Sequence, residues 1–136
     1  MRVNYAAVAV AALMQFALGA LWYSPLLFAN RWVQLIGKNV EEMKRAPNPV
    51  IYLAALACSV VMAYVLALVC VSRGAKSAGD GAANGALLGI GLVATAMLTG
   101  YLFEQRPGEL YLINAGYFVV SLILMGALLG AWRKPA

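Results

Sequence analysis

Four uncharged, apolar stretches account for most of the chain. They run over residues 3–23, 50–72, 82–103 and 110–132. Each is long enough to cross a bilayer as a helix, since about 20 residues span the hydrocarbon core. A helix also satisfies its own backbone hydrogen bonds in lipid, whereas helices of a soluble protein show polar faces that these stretches lack. The pattern predicts an all-α membrane protein with four transmembrane helices, arranged as two helical hairpins.

The end of the first stretch fits this assignment. Trp22 and Tyr23 close it with rings that favour the headgroup level, and Ser24-Pro25 then stops the helix. A cleaved signal peptide is the alternative interpretation, because Arg2 precedes the stretch. The apolar run is longer than the roughly 7 to 15 residues of a signal peptide. We therefore expect it to be a membrane span.

The connection over about residues 26–46 has a different pattern. Apolar residues recur near helical spacing among basic ones: Phe28, Trp32, Leu35, Ile36 and Met43 among Arg31, Lys38, Lys44 and Arg45. This pattern is typical of an amphipathic segment that lies along the membrane surface. Asn39 with Glu42 resembles a capping box and predicts a second short helix after Gly37. In the alternative interpretation the segment is a linker that only joins two spans.

Composition supports a single membrane domain over residues 1–136. Hydrophobic residues make up 64% of the chain and charged residues 11%, against about 25% charged in a soluble domain. The net charge of +5 comes from scattered Lys and Arg, so we expect membrane lipids as partners and no nucleic acid. Five Lys and Arg fall on each side of the predicted topology, and the positive-inside rule therefore leaves the orientation open.

The sequence offers little catalytic chemistry. It contains no histidine, and no Asp or Glu lies inside a predicted span. A histidine-based metal site, a Ser-His-Asp triad and a paired-carboxylate centre in the membrane are therefore excluded. We expect no enzyme activity, no cofactor and no metal. A lipid-modifying enzyme would have to use Glu104 with Tyr23 or Tyr117 as its acid or base.

Glycines recur at every fourth position in the third and fourth stretches, as Gly85 and Gly89 and as Gly126 and Gly130. This spacing lets helix backbones approach closely where lipid supplies no hydrophobic driving force between helices. The contact lies either between helices of one chain or between copies of the chain. We predict a homo-oligomer, with these glycine faces as candidate contacts.

Polar residues toward one side of the membrane define a candidate binding pocket. They are Trp22, Tyr23, Ser24, Glu104, Arg106, Asn114 and Tyr117. One acid, one arginine, an amide and hydroxyls suit an ion or a polar headgroup, and we predict that they converge around Glu104. In the alternative, Glu104 pairs with Arg106 or Arg31 at the interface, while Asn114 ties helices together.

The same motifs carry a family resemblance. They are Val-Asn-Tyr at 3–5, Leu-Gly-Ala-Leu-Trp-Tyr-Ser-Pro at 18–25, Phe-Glu-Gln-Arg-Pro at 103–107, Leu-Ile-Asn-Ala-Gly-Tyr at 112–117 and Met-Gly-Ala at 125–127. With them, nearly the whole chain resembles the bacterial domain-of-unknown-function family numbered 1761. The resemblance implies a small four-helix protein of a bacterial cell membrane and supplies no activity.

Two functional hypotheses follow. The first is a non-enzymatic multi-pass membrane protein that forms homo-oligomers, or accompanies an unknown membrane-protein partner, with a polar pocket at one membrane face. The second is a small transporter or exporter like those of the small multidrug resistance family, which use a carboxylate in their first helix. Here that helix offers Gln15. Gln15, with Ser59, Thr95 and Thr99 at comparable depths, either lines a polar path or bonds across helices.

We predict that residues 26–45 form an interfacial helical segment rather than a fifth span, because charges interrupt every apolar run in it well before about 20 residues. Spin labels at Lys38 or Lys44 should be reached by a water-soluble relaxation agent. Labels that respond to oxygen alone, as at mid-bilayer depth, would contradict the prediction.

Overall fold

The computed structural model describes residues 2–37 and 49–132, and the regular structure within them is helical. The helices are α1 (Tyr5–Trp22), α2 (Ala29–Leu35), α3 (Pro49–Ser72), α4 (Ala78–Leu88), the π-helical segment π1 (Gly89–Ala94), α5 (Thr95–Phe103) and α6 (Gly108–Ala131). Because α4, π1 and α5 run on without a break, four helical stretches are long and apolar enough to cross a membrane. The predicted all-α fold with four spans is confirmed.

Local signals set where the spans begin. The side chain of Asn4 accepts a hydrogen bond from the Ala7 amide at 3.3 Å and caps α1. Ser77 caps α4 in the same way, with its hydroxyl 3.1 Å from the Asp80 amide, and the Asp80 carboxylate favours the first turn of a helix. The third span therefore begins at residue 78, four residues before the start that the sequence predicted.

The helix α6 lies at the centre of the fold. It contacts α1, α2, α3, α4, π1 and α5, while α1 and α3 pack on each other as the first hairpin. The core between the spans consists mainly of small and aliphatic side chains; Leu66, Leu110 and Met125 are its largest fully buried apolar members. Because every other span is positioned against α6, changes in that helix affect the whole bundle.

Glycines bring α4 and α6 into backbone contact. A Cβ atom added at Gly81 would overlap the carbonyl oxygen of Gly126, and one added at Gly85 would overlap that of Leu122. A Cβ at Gly130 would meet the Gly81 nitrogen at 2.9 Å. These contacts lie within one chain. The faces of α4 and α6 that carry these glycines are thus occupied and are not available to a second copy, so our choice of them as contacts between copies needs correction.

The second half of the third span diverges from the core. An 18-residue apolar window of the third span is 6% buried, against 28% to 39% in the other three spans, and α5 contains no buried residue. This half consists of π1 and α5 and follows the tightly packed α4. Side chains satisfy carbonyl groups in this region: the Thr95 hydroxyl donates to the Gly91 oxygen at 2.9 Å, and the Tyr111 hydroxyl donates to the Ala94 oxygen at 2.8 Å.

The helix α2 accounts for the first part of the segment predicted at the membrane surface. The Arg31 guanidinium donates two hydrogen bonds to the Glu109 carboxylate, at 2.7 and 2.6 Å, and the Trp32 ring lies 5.0 Å from the Tyr23 ring. These contacts hold α2 beside the end of α1 and the start of α6. The predicted capping box at Asn39 and Glu42 lies outside the described residues, and the interfacial position of the segment stays a prediction.

We expect Gly85→Ala to lower the free energy of unfolding by about 1–3 kcal/mol, because the added methyl group would force α4 away from the α6 backbone. Gly79→Ala is the matched control in the same helix, since the atom nearest to a Cβ at that position is the Ser77 hydroxyl oxygen, at an ordinary contact distance of 3.7 Å; it should leave stability unchanged or raise it by up to about 1 kcal/mol. Titration with dodecyl sulfate in mixed micelles, followed by tryptophan fluorescence, measures both. Equal stability of the two variants would contradict the packing argument.

Candidate polar site at one end of the bundle

The aromatic residues that end α1 bond directly to α6. The Trp22 indole nitrogen donates to the Ile113 carbonyl oxygen at 2.9 Å, and the Tyr23 hydroxyl donates to the Asn114 Oδ1 at 2.6 Å. Both rings are amphipathic, so each buries its apolar part and keeps a polar atom for a partner. The sequence motif that we associated with the headgroup level therefore also attaches α1 to α6.

Asn114 connects three helices. Its Oδ1 accepts from Tyr23 of α1, and its Nδ2 donates to the Tyr101 hydroxyl of α5 at 2.7 Å. The Arg106 guanidinium lies 5.0 Å from the centre of the Tyr101 ring, within the range of a cation–π contact. We call Tyr23, Tyr101, Arg106 and Asn114 the amide cluster. It joins α1, α5 and α6 at the end of the bundle where the connection 104–107 lies.

Tyr117 extends the polar contacts toward the middle of the bundle. Its hydroxyl donates to the Gln15 carbonyl oxygen at 2.8 Å, and its ring lies 5.7 Å from the Tyr23 ring. Gly19 makes room for it, since a Cβ there would lie 2.9 Å from the Tyr117 hydroxyl. One turn further along α6, the Gln15 Nε2 donates to the Ser121 hydroxyl at 3.0 Å. Asn114, Tyr117 and Ser121, which were predicted to share a face of α6, thus each form a hydrogen bond with α1. Asn114 also bonds Tyr101 of α5.

Glu104 and Ser24 lie apart from these bonds. The Glu104 carboxylate is 3.7 Å from the Arg106 Nε, with 65% of its side chain exposed, and forms no hydrogen bond with Tyr23, Asn114 or Tyr117. The Ser24 hydroxyl donates to the Leu21 carbonyl oxygen of its own helix end at 2.6 Å. The structure therefore brings Trp22, Tyr23, Arg106, Asn114 and Tyr117 together around Asn114 rather than around Glu104.

The threonines that we placed on a possible polar path also lie elsewhere. Thr95 and Thr99 are exposed on α5, and both hydroxyls donate to carbonyl oxygens of their own helix. Gln15 and Ser59 are both buried, at 1% and 4% exposure. A polar path that includes all four residues therefore does not form.

Sequence reasoning missed Tyr101 and Tyr111. Their rings lie 5.5 Å apart across the connection between α5 and α6, and Tyr101 also accepts the Asn114 bond. Both residues flank the charged turn that we had singled out, and two tyrosines at the facing ends of a tight hairpin are the signal that was available. The face that α5 turns toward α6 depends on π1, which the sequence does not indicate.

The charges near the site occur in pairs. Arg31 is paired with Glu109, and Arg106 lies near Glu104. The hydrogen bond from Arg31 to the Glu109 carboxylate raises the pKa of that guanidinium further, so Arg31 stays charged at any physiological pH. Among residues 2–37 and 49–132, no group of three or more His, Cys, Asp or Glu is placed to hold a metal ion. The arrangement is suited to hydrogen bonding and charge recognition.

Fold and site together define a four-helix membrane protein with a hydrogen-bonded aromatic and amide cluster at one end of its bundle. The family model described as protein of unknown function (DUF1761) matches residues 6–130. The chain therefore belongs to this family, as the motifs around Trp22, Glu104 and Asn114 indicated. No curated protein and no solved structure matches the chain.

We expect Asn114→Ala to destabilise the bundle by about 1–3 kcal/mol, because it removes both bonds of the amide and leaves two hydroxyl groups without a partner. Tyr23→Phe removes one bond and should cost about 0.5–1.5 kcal/mol. Tyr52→Phe serves as the control, since its hydroxyl has no hydrogen-bond partner among the described residues and half of the residue is exposed. Unfolding in mixed micelles compares the three; a control as damaging as Asn114→Ala would refute the role of the cluster.

Proposed function

We propose that the chain is a non-enzymatic multi-pass membrane protein that binds a phospholipid headgroup at the amide cluster. The site would lie at the depth where the spans end, because Tyr23 is the last residue before the turn after α1 and Arg106 lies in the connection after α5. Aromatic residues and arginine are common at this level of a bilayer. A bacterial plasma membrane is the setting that the family resemblance favours.

The observation that carries this proposal is an unused hydroxyl proton. The side-chain amide of Asn114 has one carbonyl oxygen, which accepts from Tyr23, and one NH2 group, which donates to Tyr101. The Tyr101 hydroxyl then still has its own proton, for which no acceptor is found among the described residues. If the amide oxygen and nitrogen of Asn114 exchanged places, Asn114 would accept from Tyr101 and donate to Tyr23. The hydroxyl proton without an acceptor would then be that of Tyr23. The cluster can therefore always donate one further hydrogen bond.

Charge suggests which acceptor would take this bond. Arg106 lies over the Tyr101 ring and has guanidinium N–H groups for an oxyanion. A phosphate oxygen could accept from both Arg106 and Tyr101. Glu104, 3.7 Å from Arg106, is mostly exposed and could receive an ammonium group. A zwitterionic headgroup of phosphate and ammonium, as in phosphatidylethanolamine, matches this pair of opposite charges better than a singly anionic headgroup does.

The alternatives have less support. Proton-coupled transport would require a titratable group facing the bundle interior, and the buried position in α1 holds the uncharged amide of Gln15. Catalysis on a lipid would need a base near the hydroxyl groups, and Glu104 is paired with Arg106 instead. Self-association is part of the proposal: the weakly buried half of the third span, π1 and α5, is the surface that a second copy would cover.

Native mass spectrometry tests the proposal on protein extracted from membranes that contain phosphatidylethanolamine and phosphatidylglycerol. We expect Tyr101→Phe to retain about fivefold less phosphatidylethanolamine, the equivalent of one hydrogen bond of about 1 kcal/mol. Glu104→Gln should reduce the preference for phosphatidylethanolamine over phosphatidylglycerol. The same spectra report the number of subunits.

Tyr52→Phe is the matched control, because Tyr52 lies near the start of α3, at the same end of the bundle, and half of the residue is exposed. It should retain as much lipid as the unmodified chain. Inorganic phosphate added in excess distinguishes the two sources of the phosphate group. A site that binds free phosphate would release its lipid, whereas a site that also binds the ammonium group of the headgroup should retain it. Equal lipid retention by Tyr101→Phe, Arg106→Gln and the control would refute headgroup binding.

A further inference from the structure

An unpaired polar atom lies at the centre of the bundle. Gln15 occupies the middle of α1 and is 1% exposed. Its Nε2 donates to the Ser121 hydroxyl of α6 at 3.0 Å and approaches the Met62 sulfur of α3 at 3.7 Å. Its Oε1 has no hydrogen-bond partner among the described residues. The amide is therefore fixed by α6 on one side, while its carbonyl oxygen is unsatisfied.

The bonds around Gln15 leave no donor for this oxygen. The Ser121 hydroxyl gives its proton to the Phe118 carbonyl oxygen at 3.1 Å, and the Tyr117 hydroxyl gives its proton to the backbone oxygen of Gln15. An amide oxygen without a partner is costly in a hydrocarbon environment, where no bulk water can replace the missing bond. Buried polar groups in folded proteins nearly always have a protein or water partner.

A second polar group lies nearby on α3. Ser59 precedes Met62 by three residues and thus shares its face of the helix. It is 4% exposed, and its hydroxyl forms no hydrogen bond with a described residue. Because Met62 approaches the Gln15 amide, Ser59 lies one helical turn along α3 from the residue that contacts that amide. Gln15 Oε1 is thus a buried side-chain atom without a partner among the described residues, and the Ser59 hydroxyl is a second polar group on the facing helix.

We propose that a single water molecule is bound at the centre of the bundle, donating one hydrogen bond to Gln15 Oε1 and forming a second with the Ser59 hydroxyl. A buried water typically has two to four polar partners. Met62 is the adjustable side chain of this site, since its unbranched thioether can move to make room. A metal cation would not fit, because it would need about six oxygen ligands and a compensating charge.

This site is independent of the headgroup site, because Gln15 and Ser59 lie in the middle of their spans, away from the Tyr101 end. Water there would hydrate the inner end of the line of bonds that runs from Asn114 through Tyr117. The protein would then carry a fixed internal water inside a membrane domain without any charged group to hold it.

Infrared spectroscopy of the glutamine carbonyl group tests the proposal. The chain contains three glutamines, Gln15, Gln34 and Gln105. In a Gln34→Asn, Gln105→Asn background with 13Cδ-labelled glutamine, the labelled band comes from Gln15 alone. Both background positions are exposed, and asparagine tolerates the positive φ of 55° at residue 105. We expect the band at the lower frequency of a hydrogen-bonded carbonyl, together with magnetisation transfer from water to the Gln15 side-chain amide protons.

Two variants distinguish the hydrogen bond at Gln15 Oε1 from the one at Gln15 Nε2. Ser59→Ala should move the carbonyl band toward the frequency of a free amide, because it removes the second partner of the water. Ser121→Ala breaks only the bond from Nε2 and should leave the carbonyl band near its original position. A free-carbonyl frequency in the background protein would overturn the proposal. A bonded carbonyl without transfer from water would also overturn it, by pointing to a protein or lipid donor.

Discussion

The close contact between the backbones of α4 and α6 is the constraint on which the rest of the bundle depends. Lipid offers no hydrophobic driving force between helices, so packing and polar bonds must hold them together. Gly81, Gly85 and Gly126 allow this approach because each lacks the Cβ that would strike a facing carbonyl group. Once α6 is fixed in this way, α1 and α3 pack on its remaining faces, and the polar side chains of α6 reach their partners.

Hydrogen bonds rather than ion pairs join the spans away from this contact. Trp22, Tyr23 and Gln15 attach α1 to α6 at three successive levels, while the Arg–Glu pairs lie at the exposed end of the bundle. Neutral partners avoid the large desolvation penalty of a charge inside the membrane. The bonds between α1 and α6 therefore hold the spans together without a charged side chain.

The spans were predictable because their lengths and lack of charge reflect the solvent that surrounds them. The cluster was predictable in part: Asn114 and Tyr117 share a helical face, and Trp22 and Tyr23 end a span at the same depth. The residue at its centre was not predictable in the same way. The sequence favoured Glu104 because it is charged, whereas in the structure the amide of Asn114 bonds both Tyr23 and Tyr101. Tyr101 was missed because its direction depends on π1, whose residues Gly-Ile-Gly-Leu-Val-Ala carry no recognisable signal for that geometry.

The π-helical turn also makes the chain sensitive to length at one place. A π-helical turn holds more residues than an α-helical one. If the chain were one residue shorter between Gly89 and Ala94, α5 would turn by about 100° about its axis and retreat by about 1.5 Å. Tyr101 would then leave Asn114, although no residue of the cluster had changed. The register of the third span is therefore encoded in a count of residues rather than in their chemistry.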